Sequence, residues 1–157
     1  MNITSIYYTR GSCKKELGDI EGAINDYSEY IDKEPNYPQM YVLRAELFAQ
    51  SKQYQLVIDD LTKAIELEQK DGRESIFTNR SVAKYMLGDV EGMFEDLLRA
   101  LSIDPTYKPA LLKLQSQKIN LKKLEEEKGF NKTIKDLIIR FSLHKKLIND
   151  LDLDLDL

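Results

Sequence analysis

At 157 residues, 42% of them hydrophobic and 32% charged, the chain is long enough to bury one core and keep a well-solvated surface. A net charge of -4 offers no clustered Lys and Arg field, which argues against nucleic acid as a partner. The single cysteine, Cys13, rules out an internal disulfide and a thiolate metal cluster, and no stretch approaches the roughly 18 apolar residues of a membrane span.

The amino-terminal stretch MNITSIYYTRGSCKK lacks a basic start followed by an apolar run, so a secretory signal is not expected and the cytoplasm is the expected compartment. From there the chain reads as a repeated phrase. LGDIEGAINDYSEYIDKEPNY begins at Leu17 and LGDVEGMFEDLLRALSIDPTY at Leu87, with a more divergent copy, SKQYQLVIDDLTKAIELEQKD, beginning at Ser51. Units fall at 4–37, 38–71 and 74–107, with Gly72 and Arg73 inserted between the second and third.

Each unit reads as two short amphipathic helices. The second helices carry apolar or small residues at Ala23, Ile24, Tyr27, Tyr30 and Ile31, then Val57, Ile58, Leu61, Ala64 and Ile65, then Met93, Phe94, Leu97, Ala100 and Leu101. Most of these spacings share one face of a helix and would scatter over both faces of a strand. Gly18 and Gly88 stand where a helix ends in the left-handed conformation, and Asp19 and Asp89 follow as caps for the next helix. Pro35 and Pro105 close their units. In the first helices the small residues Gly11, Ala45 and Ser81 mark a close approach, and the bulky Tyr7, Tyr41 and Phe77 fill the space beside it. Cys13, just after Gly11, is expected in the core.

The period of about 34 residues, the aromatic and small-residue spacing and the closing Pro resemble the tetratricopeptide repeat. The resemblance implies an all-α fold, a right-handed superhelix of helical hairpins with about three units followed by a capping helix at 108–128. Departures are Met93 and Tyr30 in place of small residues and Gln69 in place of the expected Pro.

Beyond the repeats, 108–128 carries Leu111, Leu112, Leu114, Ile119 and Leu124 and is placed to cover the last unit's apolar face. A second amphipathic helix is expected over 131–149, with Ile134, Leu137, Ile138, Phe141 and Ile148 on its stripe and Asn131 or Thr133 as its cap. Residues 117–146 hold nine Lys or Arg against four acids, read as a solvated helix face. The acidic tail at 150–157, LDLDLDL after Asp150, reads as a frayed terminus or as a strand-like ligand for its own or a neighbour's groove.

Catalytic chemistry has little to stand on. His144 and Cys13 are far apart, and the adjacent pairs Asp59/Asp60 and Glu95/Asp96 splay around a helix instead of converging. With no Gly-rich phosphate loop and no metal-ligand spacing, no cofactor or metal is expected. The expected function is a noncatalytic adaptor that takes a peptide or partner protein in a concave groove. The alternative is self-assembly, a homodimer in which the carboxyl-terminal helix and LDLDLDL tail dock on a second copy.

Alignment to the family implies that the groove is lined by Tyr8, Thr9 and Ser12, then Gln39, Val42, Leu43 and Glu46, then Thr78, Asn79, Val82 and Tyr85, and last Leu112 and Lys113. The stretch FTNRSVAKY resembles the subclass that clamps chaperone carboxyl termini, with Asn79 and Lys113 in matching slots. Val42 and Glu46 stand where that subclass has Lys and Asn, and the other register offers only Tyr8, Ser12 and Leu43. Weak or no binding of such acidic peptides is therefore expected.

Overall fold

The computed structural model describes residues 3–68, 73–114 and 116. Helices α1 (Ile3–Glu16), α2 (Ile20–Lys33), α3 (Pro38–Gln50), α4 (Tyr54–Leu67), α5 (Arg73–Met86) and α6 (Val90–Ile103) follow one another, and a further helix opens at 108–114. Substantial packing runs between chain neighbours, closest within the pairs α1/α2, α3/α4 and α5/α6, so the hairpins stack in sequence order. Helix 131–149, the tail, His144, Gln69, Gly72 and the capping helix beyond residue 116 lie outside the described residues.

The turns within hairpins share one design. After α1 and α5, Gly18 and Gly88 take φ of 81° and 82°, and the Asp19 and Asp89 amides donate to the Lys14 and Lys84 carbonyls at 2.9 Å. This is a helix-closing motif that favours glycine because a Cβ disfavours positive φ. The Asp19 and Asp89 carboxylates then accept from the Gly22 and Gly92 amides at 2.9 Å, satisfying free donors of the next helix. Between α3 and α4 the same turn is made with Lys52 at φ 58°, followed by Gln53, whose side chain makes no cap bond.

Two apolar clusters form the core. One runs from Ala23, Tyr27 and Ile31 through Met40, Ala45 and Leu61 to Ile76, and the other joins Phe77, Phe94, Leu97 and Leu101 to Ala110 and Leu114. Ile65 packs against both. Gly11, Ala45 and Ser81 are all buried. A Cβ on Gly11 would fall 2.7 Å from the Tyr27 ring, so this position needs glycine for the close approach of α1 and α2.

One expectation is corrected here: Cys13 is exposed. Gly11 faces α2, and two residues on an α-helix turn the side chain about 200° away, onto the solvent side. Tyr7 also differs from its counterparts, being half-buried where Tyr41 and Phe77 are buried.

Candidate functional site: two recesses beside repeated ion pairs

Sixteen residues separate an arginine on each first helix from an aspartate on the second helix of its pair: Arg10–Asp26, Arg44–Asp60 and Arg80–Asp96. Each guanidinium grips its carboxylate through Nε and a terminal nitrogen, at 2.8 and 2.7 Å for both Arg44 and Arg80. Asp26, Asp60 and Asp96 are buried, at 2%, 6% and 1% exposure. Asp59 and Glu95, beside them in sequence, face solvent.

Lysines add a second cation in two of the pairs, with Lys14 3.1 Å from Asp26 and Lys84 3.1 Å from Asp96. The middle pair carries Phe48 in that slot, over which the Arg44 guanidinium sits at 5.7 Å. The hydrogen bond from Arg10 lowers the pKa of Asp26 against the cost of burial, with Lys14 contributing. Asp60 raises the pKa of Arg44 through the same kind of bond. The arginines also reach across hairpins: Arg44 Nη1 donates to Ser28 Oγ at 2.9 Å and Arg80 Nη1 to Thr62 Oγ1 at 2.8 Å. These bonds fix how one hairpin sits on the previous one.

Two recesses open between the first helices. One, about 420 Å³, brings together Val42 and Glu46 on α3, Asn79 and Val82 on α5, and Lys113. Its floor includes Ala45, Val57 and Leu61. Glu46 is bonded by Lys15 Nζ at 3.1 Å, a contact that raises the lysine pKa. The other recess, about 410 Å³, gathers Tyr8, Gln39 and Leu43 with Tyr30, Tyr37 and Met40. Tyr30 and Tyr37 lie with ring centres 5.9 Å apart, and burial raises the Tyr30 pKa.

The remaining expected groove residues line neither recess. Thr9 and Ser12 lie on α1, where the Thr9 hydroxyl donates to the Ser5 carbonyl at 2.8 Å and Ser12 Oγ pairs with the Tyr27 hydroxyl at 3.2 Å. Tyr85 and Leu112 are exposed, at 39% and 54%. Thr78 is a correction: it is 2% exposed, and its hydroxyl donates to the Glu74 carbonyl one turn back, so it presents nothing to a ligand. Sequence reasoning missed the ion pairs, although Arg and Asp recur in the same slots of all three copies. It also missed Tyr30 and Tyr37, whose place depends on how the second hairpin sits on the first.

Among the described residues no three His, Cys, Asp or Glu side chains come together in a way that would hold a metal ion, and no helix is long and apolar enough to cross a membrane.

The sequence pattern of the tetratricopeptide repeat matches residues 4–37. No curated protein sequence matches the chain. Among solved structures, the first such domain of human RPAP3 is 21% identical with a TM-score of 0.68, covering 80% of this chain and 98% of its own. The first domain of Spaghetti (RPAP3), bound to the HSP90 peptide SRMEEVD, is 21% identical with a TM-score of 0.67, covering 75% and 92%. The second domain of human RPAP3, in complex with the HSP70 peptide SGPTIEEVD, is 22% identical with a TM-score of 0.63, covering 72% and 96%.

Proposed function

We propose that this chain, whose first unit matches the tetratricopeptide repeat and whose fold is that of such domains, is a noncatalytic adaptor holding an extended peptide of a partner protein across its first helices. The observation that carries this reading is the recess where Val42, Glu46, Asn79, Val82 and Lys113 converge from three helices. Val42 and Val82 supply apolar contact, and the Asn79 amide carries both a donor and an acceptor for a ligand backbone. The peptide complexes of the similar domains support the same use of the fold. An exposed, unpaired Cys13 suits a reducing compartment, and we place the adaptor in the cytoplasm.

Selectivity follows from Glu46. Paired with Lys15 and facing the recess, it sets a negative charge where an acidic peptide end would need a positive one. The groove therefore lacks the cluster of cations that an acidic peptide end requires, and the peptides SRMEEVD and SGPTIEEVD bind weakly or not at all. The test is selection of binders from a displayed random-peptide library, followed by calorimetry on the intact chain. Selected peptides should lose about tenfold in affinity on Asn79→Ala, the equivalent of one lost hydrogen bond. Submicromolar binding of SRMEEVD, or selected binders indifferent to both Asn79→Ala and Val42→Glu, would overturn the reading.

A further inference from the structure

The repeat allows each first helix to be compared with its counterparts, and α1 differs in one respect. Met40 on α3 and Ile76 on α5 are 1% and 7% exposed because α2 and α4 pack over them, whereas Ile6, their counterpart on α1, is 43% exposed. Arg44 and Arg80 each give a third bond to a hydroxyl of the preceding second helix, Ser28 or Thr62, and their side chains are 19% and 13% exposed. Arg10 grips Asp26 in the same way but has no such third partner among the described residues, and its side chain is 54% exposed. The outer face of α1 is thus an interior-type stacking surface, with an aliphatic residue and an arginine set out for a helix that carries a hydroxyl. A polar end face would be expected of a solenoid that stops there.

The interior interfaces specify that helix. Ser28 and Thr62 stand four residues after Ile24 and Ile58, one turn apart on the face that meets the next hairpin. The same pair recurs in the chain as Ile138 and Ser142, with Phe141 in the slot of Tyr27 and Leu61 and Ile134 in the slot of Ile20. Arg140 replaces the aspartate of the ion pair, so this segment copies the stacking pattern without the clasp. It lies outside the described residues, after the helix at 108–114 that covers α6, in the order where a fourth second helix would come.

We infer that the outer face of α1 is a docking site for residues 134–145 of a second copy of this chain, which would continue the hairpin stack head to tail, with Arg10 donating to Ser142. A second copy is favoured over the same copy because α1 and the helix at 108–114 stand at opposite ends of a stack in which, among the described helices, substantial packing runs only between chain neighbours. Such a contact is heterologous and propagates until it closes into a ring or is capped.

Sedimentation velocity on the full chain, from micromolar to near-millimolar concentration, tests this. The mean mass should climb above the 18.2 kDa of one chain as concentration rises. Ile6→Asp and Ile138→Asp, each checked for unchanged helicity, should both remain at the mass of one chain. Mixed, they should form a one-to-one dimer and nothing larger, because each supplies the surface that the other lacks. Ser142→Ala should weaken assembly, Ser142→Thr should keep it, as Thr62 does inside the chain, and the groove variant Asn79→Ala should leave it unchanged. A wild type that stays at one-chain mass throughout overturns the inference, as does assembly that survives Ile6→Asp. Loss on Ile6→Asp with full assembly of Ile138→Asp would indicate α1 packing on α1, and would overturn the assigned occupant.

Discussion

Lys52 is the least comfortable residue of the described backbone. Its φ of 58° places a Cβ where Gly18 and Gly88 have none, and a left-handed residue with a side chain costs about 1–2 kcal/mol. Lys52→Gly should raise stability by roughly 1 kcal/mol in urea denaturation, after the larger freedom of glycine in the unfolded chain is counted. Gly18→Ala should lower it by a similar amount. The neighbouring Gln53 makes no cap bond where Asp19 and Asp89 do. Leu56 stands in the slot of Gly22 and Gly92, where a Cβ would come within 2.1 and 2.2 Å of the capping carboxylates, so Gln53→Asp alone should add little, and the cap of about 1 kcal/mol that Leu56→Gly would admit is offset by the cost of a helical glycine. Asp26 sets a pH dependence. Its pKa is held below the usual 3.8 by Arg10, so it adds stability that is present above that value and lost as pH falls through the depressed one. Acid unfolding of Asp26→Asn should accordingly show a shallower fall in melting temperature below about pH 4 than the wild type.

Between elements, the ion pairs decide which substitutions are severe. Asp60 is 6% exposed and has Arg44 as its only cation among the described residues, because Phe48 fills the slot that Lys14 and Lys84 hold elsewhere. Arg44→Leu should cost about 3 kcal/mol or more, read from urea melts, since it strands a buried carboxylate. Arg10→Leu should cost distinctly less, because Lys14 still reaches Asp26 and the arginine faces solvent. The hairpins themselves were legible in the sequence, since helix period, left-handed glycines and capping aspartates all leave local marks. The clasps were not read, although present in the letters, because an ion pair sixteen residues long becomes meaningful only once two helices are folded back on each other. Cys13 was misplaced for a related reason: nearness in sequence to a buried glycine does not put two residues on one helical face.

At the scale of the molecule, some of the residues expected to line a groove come together in two recesses. Val42, Glu46, Asn79, Val82 and Lys113 meet in one recess, and Tyr8, Gln39 and Leu43 in another. Thr78 was assigned to the groove although its neighbour Asn79 faces outward, because a helical wheel gives relative directions and only packing gives the zero of the angle. Tyr30 and Tyr37 enter the second recess through the angle between hairpins, which no local pattern encodes. That angle has a further consequence. Among the described helices substantial packing runs between neighbours in the chain, so the molecule is mechanically a short spring. A slight rotation at each of the two joints between hairpins adds along the axis, and each joint carries, beside its apolar packing, an arginine bond to a hydroxyl, Ser28 or Thr62. Removing either hydroxyl would soften one joint while leaving both hairpins whole. The pitch of the coil, and with it the spacing between the two recesses, is thus adjustable through side chains that line neither recess.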